Sequence, residues 1–252
     1  MEPVLTCENL DMVFRDGAYE VQALKNVSFT LHRNEVLSII GKSGSGKSTI
    51  AKLITGIYQP AGGDISLDGQ SIIRLGRQKQ KEVYKKVQMV FQDAIGSFNL
   101  RQKVGKSIAH PLRCLCGEGR QTAEKKVAAL LQDVGLPADY GDKYPHELSG
   151  GECQRVAIAR AMSVCPEILI CDEATSALDV SAQARIVELL LNLRRKRGVS
   201  ILFITHDLPL VSNMSDRILI MNRGELVEEG STEEVIVYPQ SMYTRRLLDA
   251  VC

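Results

Sequence analysis

Long apolar runs are missing from this sequence, whose longest ones have only the length of a strand. A helix that spans a bilayer needs about 18 or more consecutive apolar residues. The first residues, Met1 to Val4, also lack the basic and apolar regions of a secretory signal. We therefore expect a cytoplasmic protein whose role at a membrane, if it has one, runs through partner proteins.

Net charge is nearly absent, because 31 lysines and arginines face 30 acidic residues and leave +1. Such a balance gives no large field for holding nucleic acid phosphates. The basic clusters at 77–81 and 194–197 have no aromatic side chains between them for base stacking, and we interpret them as solvated helix faces. No nucleic acid partner is expected.

Cysteines are scattered, seven in number and without a C-x-x-C pair; the closest two are Cys114 and Cys116. This usage is typical of reduced intracellular thiols rather than of a disulfide framework or a zinc site.

Short apolar runs alternate with helical patterns along the chain. Four of the runs predict buried strands, at 36–40, 168–171, 201–204 and 218–221. Between the second and third, Ile186, Leu189, Leu190 and Leu193 recur at helical spacing, and Gly198 follows as a C-terminal cap. Strand runs separated by helices predict an α/β fold with a parallel sheet covered on both faces.

The chain divides into four predicted segments. Residues 1–92 form the first part of an α/β core with an antiparallel β flap that turns near Gly17, and residues 93–166 form an inserted helical subdomain. Residues 167–235 return to the core, and residues 236–252 form a C-terminal tail. The helical segment shows the periodicity of Val127, Leu130, Leu131 and Val134 and contains no comparable strand run.

A phosphate-binding loop lies at 41–48, directly after the first predicted strand, and matches G-x-x-x-x-G-K-[ST] in full. Its glycines let backbone N–H groups approach phosphate oxygens, and the following helix points its positive end at the same anion. Lys47 is predicted to reach the β- and γ-phosphates and Ser48 to ligate Mg²⁺. Kinases, GTPases and motors share this loop, so by itself it leaves the reaction open.

Two carboxylates, Asp172 and Glu173, end the predicted strand at 168–171. Asp172 is predicted to hold Mg²⁺ through a water molecule, because Mg²⁺ keeps much of its hydration shell. Glu173 is then available to polarise an attacking water. The alternative is an Asp-Glu pair that only starts a helix.

The segment 148–152, Leu-Ser-Gly-Gly-Glu, resembles the signature sequence of ABC ATPases. Gln92, the run 176–179 and His206 stand around it in the order of that family, and the resemblance covers essentially the whole chain. It implies a P-loop NTPase core of the ABC ATPase fold, with ATP and Mg²⁺ as ligands. From the residues alone, Ser149 is also predicted to be a helix cap.

The resemblance implies a role for each matching position. The implied catalytic residues are Glu173, His206, Lys47 and Gln92. The implied Mg²⁺ ligands are Ser48, Gln92 and Asp172. Nucleotide contacts within one subunit are Phe14, Gly41, Ser43, Gly44, Ser45, Gly46, Lys47, Ser48, Thr49, Gln92, Asp172 and His206. Contacts across a dimer are Ser149, Gly150, Gly151, Glu152 and Asp179. Phe14 would stack on adenine, where the family often has tyrosine; the alternative is that it packs in the flap.

Further segments are similar to the ATPases of peptide and nickel importers, in particular to the second of their two ATPase subunits. They lie at 91–99, 152–155, 170–173 and 238–248, and the last departs from the subfamily at Ser241 and Met242. The implied partners are two membrane permeases, a second ATPase subunit in a heterodimer rather than a homodimer, and indirectly an extracytoplasmic solute-binding protein. The implied location is peripheral, on the cytoplasmic face of the cell (inner) membrane. No cysteine-rich tail follows Cys252, so no iron–sulfur cluster is expected.

Three alternatives stay open at this point. They are the ATPase of an exporter, an ABC-type ATPase of a non-transport complex, and a regulatory module that binds ATP without hydrolysing it. Lys47, Glu173 and His206 favour hydrolysis. The transported solute does not follow from the sequence.

Overall fold

A computed structural model describes residues 2–17 and 19–249, which group into two compact units. The first unit contains the described residues up to Gly76 together with those from Ser200 onward, and the second is Arg77–Val199. The segment boundaries predicted at 92, 166 and 235 stay predictions, and Cys252 lies outside the described residues.

The strands lie at the following positions: β1 Pro3–Asp16, β2 Tyr19–His32, β3 Val36–Ile40, β4 Gly62–Leu67, β5 Gln70–Ser71, β6 Val87–Val90, β7 Ile168–Asp172, β8 Ser200–Thr205, β9 Arg217–Asn222 and β10 Glu225–Ser231. The helices are α1 Lys47–Ile54, α2 Arg77–Lys86, α3 Val104–Cys114, α4 Arg120–Asp133, α5 Gly150–Met162, α6 Val180–Arg197, α7 Leu208–Met214, α8 Thr232–Val237 and α9 Met242–Asp249. Single 3-10 turns lie at Ile95–Ser97, Ala138–Asp142 and Pro145–Glu147.

An antiparallel sheet in the first unit has the strand order β2, β1, β4, β5 and contains the predicted flap hairpin. Its pairing is interrupted by register shifts, one of them between Cys7 and Leu10. Asn9, inside that interval, has a φ of 49°. A bulge turns the strand locally, so Cys7 and Leu10, three residues apart, are both buried.

The second sheet of this unit runs β10, β9, β3, β8. β3 pairs in parallel with β8 and with β9, while β10 returns antiparallel beside β9. All five residues of β3 are buried, as expected for a central parallel strand. The strands predicted at 36–40, 201–204 and 218–221 are confirmed.

In the second unit β6 pairs in parallel with β7, which confirms the strand predicted at 168–171. Helix α6 contains the predicted helical repeat, and it ends at Gly198 with a left-handed φ of 67°. Helix α4 carries the periodicity predicted around Val127 and buries Val127 and Leu131. Basic helix α2 buries only Val83.

Across the described ranges, every helix falls short of the length or the apolar character that crossing a bilayer requires.

Candidate functional site

The loop at 41–46 connects β3 to α1 and folds around the side chain of Lys47. This side chain is buried, and its Nζ donates hydrogen bonds to the carbonyl oxygens of Gly41 at 2.8 Å and Lys42 at 3.0 Å. The ammonium group is therefore held within the loop, where a phosphate oxygen can replace a backbone carbonyl as its partner.

Glycine is required at two places in the loop. A Cβ on Gly41 would lie 2.3 Å from the carbonyl oxygen of Met221 and 2.6 Å from Ser45 Oγ. Gly46 has a φ of 104°, and a Cβ there would lie 2.6 Å from the carbonyl oxygen of Ala23. The loop thus keeps a shape that only bare backbone can adopt.

The loop also contains an unsatisfied polar atom. Ser45 Oγ is buried and has no hydrogen-bond partner among the described residues. The N-cap of helix α1 is Gly46, so the helix begins without a side-chain cap. Buried hydroxyls are normally paired, and helix N-termini attract anions, so this loop fits an incoming oxyanion.

Asp172 and Glu173 lie in the second unit, at the carboxyl end of β7. Asp172 is buried, while Glu173 is half-buried and has a φ of 48°, in the left-handed region. The Glu173 carbonyl oxygen accepts hydrogen bonds from Ser176, from its N–H at 3.2 Å and from its hydroxyl at 3.0 Å. This turn sets the two neighbouring carboxylates in different environments.

Asp172 also acts on the residue before it. Burial, and then the negative charge of Asp172, raise the pKa of the Cys171 thiol to about 12. A carboxylate placed at the end of an apolar strand is little screened by water, which suits it to hold a cation.

Gln92 is joined to this turn by one side chain. Its Nε2 donates to Ser176 Oγ at 3.3 Å, and the same hydroxyl donates to the Glu173 carbonyl oxygen. The structure thus connects two of the predicted catalytic residues, Gln92 and Glu173, through Ser176. The sequence identified Ser176 only as part of a motif.

The signature segment opens helix α5, and Ser149 is confirmed as its N-cap. Ser149 Oγ accepts from the Glu152 N–H at 3.3 Å and donates to Glu152 Oε2 at 2.8 Å, and the Tyr140 hydroxyl donates to Glu152 Oε1 at 2.8 Å. The backbone N–H of Ser149, with these two hydroxyls, lowers the pKa of Glu152.

Asp179 caps helix α6 in a similar way. Its Oδ1 accepts from the Ser181 hydroxyl at 2.6 Å and from the Ala182 N–H at 2.9 Å, and these bonds, the first most of all, lower its pKa. A cavity of about 470 Å³ in the second unit brings together the residues predicted to act across a dimer: Ser149, Gly150, Gly151, Glu152 and Asp179.

His206 and Phe14 belong to the first unit. His206 is exposed and follows β8 directly, at the end of a fully buried strand. Phe14 lies on β1, and its ring contacts Tyr58 edge-on with 5.2 Å between centroids. Its adenine-stacking role stays a prediction, as does the role of His206.

Arg160 on α5 is a residue that the sequence analysis missed. Its guanidinium donates to the Ser97 carbonyl oxygen and to Ser97 Oγ, each at 2.8 Å, and lies 4.4 Å from the centre of the Phe98 ring. Burial lowers its pKa. These contacts attach the segment after Gln92 to helix α5, which begins within the signature segment. The sequence analysis included Ser97 and Phe98 only as part of the segment at 91–99 and gave no sign of this contact.

A family profile described as "ABC transporter" matches residues 24–176 of the chain. The chain belongs to this family. The matched region includes the phosphate-binding loop, Gln92, the signature and the Asp172-Glu173 pair. The resemblance stated from the motifs is thus confirmed.

Curated relatives of this ABC transporter chain are import and transport ATP-binding proteins. It is 43% identical over 257 residues to the glutathione import ATP-binding protein GsiA of Pectobacterium atrosepticum, which covers 99% of this chain and 41% of that protein. It is 42% identical to the oligopeptide transport ATP-binding protein OppF of Haemophilus influenzae and 40% identical to the dipeptide transport ATP-binding protein DppF of Escherichia coli. These two alignments cover 92% and 91% of this chain, and 70% and 69% of the relatives. The chain spans about two fifths of the length of GsiA.

Solved structures confirm the ABC ATPase fold. The ATP-binding cassette MJ0796, a dimer in a post-hydrolysis state with ADP and Pi, superposes with a TM-score of 0.82 at 28% identity and covers 90% of this chain and 98% of its own. The cbiO1 protein of Clostridium perfringens, part of the ABC transporter complex cbiONQ, superposes with a TM-score of 0.83 at 27% identity. This match covers 100% of this chain and 98% of cbiO1.

Proposed function

We propose that this chain is the ATP-hydrolysing subunit of an ABC importer, and that it powers the uptake of peptides through separate membrane permeases. The observation that carries the proposal is the phosphate-binding loop, where Lys47 is held inside and the buried Ser45 hydroxyl has no partner among the described residues. The names of the relatives favour peptides over nickel chelates and import over export.

ATP is the substrate of this site. Backbone N–H groups of the loop and the first turn of α1 bind the phosphates, and Lys47 exchanges a backbone carbonyl for a phosphate oxygen. We propose Phe14 as the ring that stacks on adenine, with Tyr58 supporting its edge.

Ser48, Gln92 and Asp172 are the proposed Mg²⁺ residues. They offer a hydroxyl, an amide and a carboxylate oxygen, which are the donors that Mg²⁺ prefers. When bound, Mg²⁺ neutralises charge on the phosphate oxygens. Asp172 suits this part because it is buried at a strand end, where its charge is little screened.

Glu173 is the proposed general base and accepts a proton from the attacking water. General bases typically contribute on the order of 10²–10⁴-fold to a rate. Its backbone is fixed by the two bonds from Ser176. Gln92, bound to the same hydroxyl, orients the water, and His206 hydrogen-bonds the γ-phosphate.

The signature residues act on the nucleotide of a second ATPase subunit, in our proposal a similar but different chain. A hydroxyl has one donor and two acceptor positions. Ser149 can therefore turn its donor from the Glu152 carboxylate to a phosphate oxygen while it still accepts from the Glu152 N–H. Glu152 keeps the Tyr140 hydroxyl and the Ser149 N–H, so its charge stays paired.

The proposed location is the cytoplasmic face of the cell membrane, where the chain docks on two permeases. An extracytoplasmic protein would deliver the peptide without touching this chain. The segment that Arg160 anchors, next to Gln92, is the proposed contact with a permease.

Reconstitution tests the proposal. The chain, its companion ATPase and two permeases are placed in proteoliposomes, and the uptake of a labelled peptide is followed together with phosphate release. We expect uptake to require ATP, and Glu173→Gln to reduce both rates by at least 10²-fold while ATP still binds.

The control is Glu233→Gln, an exposed glutamate in the first turn of α8, which should change neither rate. Peptide uptake at the wild-type rate in Glu173→Gln, or ATP-dependent loss of peptide from the lumen, would contradict the proposal.

A further inference from the structure

A basic cavity lies in the first unit, beside the phosphate-binding loop. Its volume is about 350 Å³. It is lined by Lys42, Asn222, Arg223, Tyr243, Arg246 and Leu247. We infer that this cavity binds the phosphoryl group of a small phosphomonoester, separately from the nucleotide.

The cations come from three separate parts of the chain. Lys42 belongs to the phosphate-binding loop, Arg223 to the turn between β9 and β10, and Arg246 to helix α9. None of the six lining residues is acidic. Within the described ranges, no ion pair joins Lys42, Arg223 or Arg246 to a carboxylate. Three like charges gathered without an acid repel one another, and an anion relieves that repulsion.

Tyr243 adds an independent observation. Its hydroxyl is buried and has no hydrogen-bond partner among the described residues. Most buried polar groups are paired. A phenol that lines a cationic cavity, with its donor unused, fits an oxygen of a bound anion.

The donors suit a phosphate group. Two guanidinium groups can each give paired N–H donors to an oxyanion, which favours phosphate and carboxylate geometry. The cavity has room for about twelve water molecules at about 30 Å³ each, more than a bare phosphate needs. Leu247 supplies an apolar surface for the organic part, so the chemistry indicates a phosphomonoester with a short tail.

The walls of this cavity are bonded to the nucleotide loop. The N–H of Gly224, next to Arg223, donates to the Ser45 carbonyl oxygen at 3.0 Å. The Lys42 carbonyl oxygen accepts from Lys47 Nζ. An anion that draws on Lys42 and Arg223 therefore acts on two residues whose backbone neighbours shape the phosphate-binding loop.

Calorimetric titration with glycerol 3-phosphate tests the site. ADP is present in excess, so that binding at the phosphate-binding loop does not contribute to the measured heat. We expect saturable binding that weakens about tenfold in Arg246→Gln and in Arg223→Gln. The matched control is Arg245→Gln, which removes the same charge from the same helix outside the cavity and should stay within about twofold of wild type.

Tyr243→Phe removes only the unpaired hydroxyl, so it serves where an arginine variant unfolds, and it should weaken binding about threefold. A second arm uses phosphatidylcholine vesicles with and without phosphatidate. Arg246-dependent binding to phosphatidate vesicles alone would identify the phosphomonoester as a lipid headgroup.

The inference is overturned if glycerol 3-phosphate shows no saturable binding and vesicle binding does not depend on Arg246. It is also overturned if Arg245→Gln weakens binding as much as Arg246→Gln, because the effect would then be one of net charge alone.

Discussion

Replacing Gly46 by alanine should damage the phosphate-binding loop in two ways. The residue has a φ of 104°, which side-chain-bearing residues rarely adopt, and its new Cβ would lie 2.6 Å from the Ala23 carbonyl oxygen and 2.8 Å from Leu24 Cδ2. Backbone strain of this kind is worth about 1–3 kcal/mol. Overpacking of a filled site adds about 1–3 kcal/mol. We expect a loss of roughly 2–6 kcal/mol in the free energy of unfolding.

Gly44 provides a control within the same loop. Its φ of 77° is also left-handed, but a Cβ there would meet nothing within 4 Å. Gly44→Ala should therefore lower the free energy of unfolding only through the unfavourable backbone conformation, by about 1–2 kcal/mol. Most of the difference between the two variants should then come from the contact of the Gly46 Cβ with Ala23 and Leu24 of β2.

Urea unfolding followed by circular dichroism measures both changes, and ATP binding by the folded variants is measured separately. Gly46→Ala should unfold at the lower urea concentration and bind ATP more weakly than Gly44→Ala. Equal unfolding midpoints would refute the reasoning, because they would mean that the contact distances at Gly46 carry no energy.

Three further predictions concern other parts of the chain. Ser149→Ala and Ser231→Ala each remove the serine of a capping box and should each lower stability by about 1 kcal/mol, but only Ser149→Ala should slow ATP hydrolysis by the assembled transporter. The pKa of Glu152 is lowered from its usual 4.5. Its ionised form therefore stabilises the fold above about pH 4.5, and this stabilisation is lost as the pH falls through the lower pKa of the native state. The melting temperature of wild type should then drop more steeply below about pH 4.5 than that of Glu152→Gln. Cys153 is buried, and its pKa is raised to about 11 by burial and then by the charge of Glu152. Iodoacetamide at about pH 8 should therefore modify the exposed Cys114 in the native protein and leave Cys153 unmodified until urea is added.

Each of these predictions has an outcome that would contradict it. Equal rates of hydrolysis for Ser149→Ala and Ser231→Ala would show that Ser149 is only a cap. Parallel pH profiles for wild type and Glu152→Gln would show that the hydrogen bonds to Glu152 do not favour its charged form. Labelling of native Cys153 at the rate of Cys114 would mean that the thiol is not buried.

Arg160 links two segments to which the proposed function gives different partners. It joins Ser97 and Phe98, which follow Gln92, to the same helix that Ser149 caps. Under the proposed function, a displacement of one segment would move the other through these side-chain contacts. Within the proposed function, this is the path by which a permease would act on the signature.

Much of the site was determined by contiguous sequence. The phosphate-binding loop and the cap at Ser149 were predicted because each is encoded by a motif of a few contiguous residues, and the strand that ends in Asp172 was predicted from its short apolar run. Helix α6 was predicted for the same reason, since a repeat of apolar residues and a terminal glycine encode it locally.

Other features depended on the tertiary structure alone. The sequence does not indicate that Arg160 binds Ser97, 63 positions away, or that Arg217 pairs with the buried carboxylate of Glu35, 182 positions away. The bulge near Asn9 and the gathering of Lys42 with other cations at one cavity follow from how strands and helices pack. Side chains so distant along the chain meet only after the chain has folded, and local pattern carries no information about which of them will face one another.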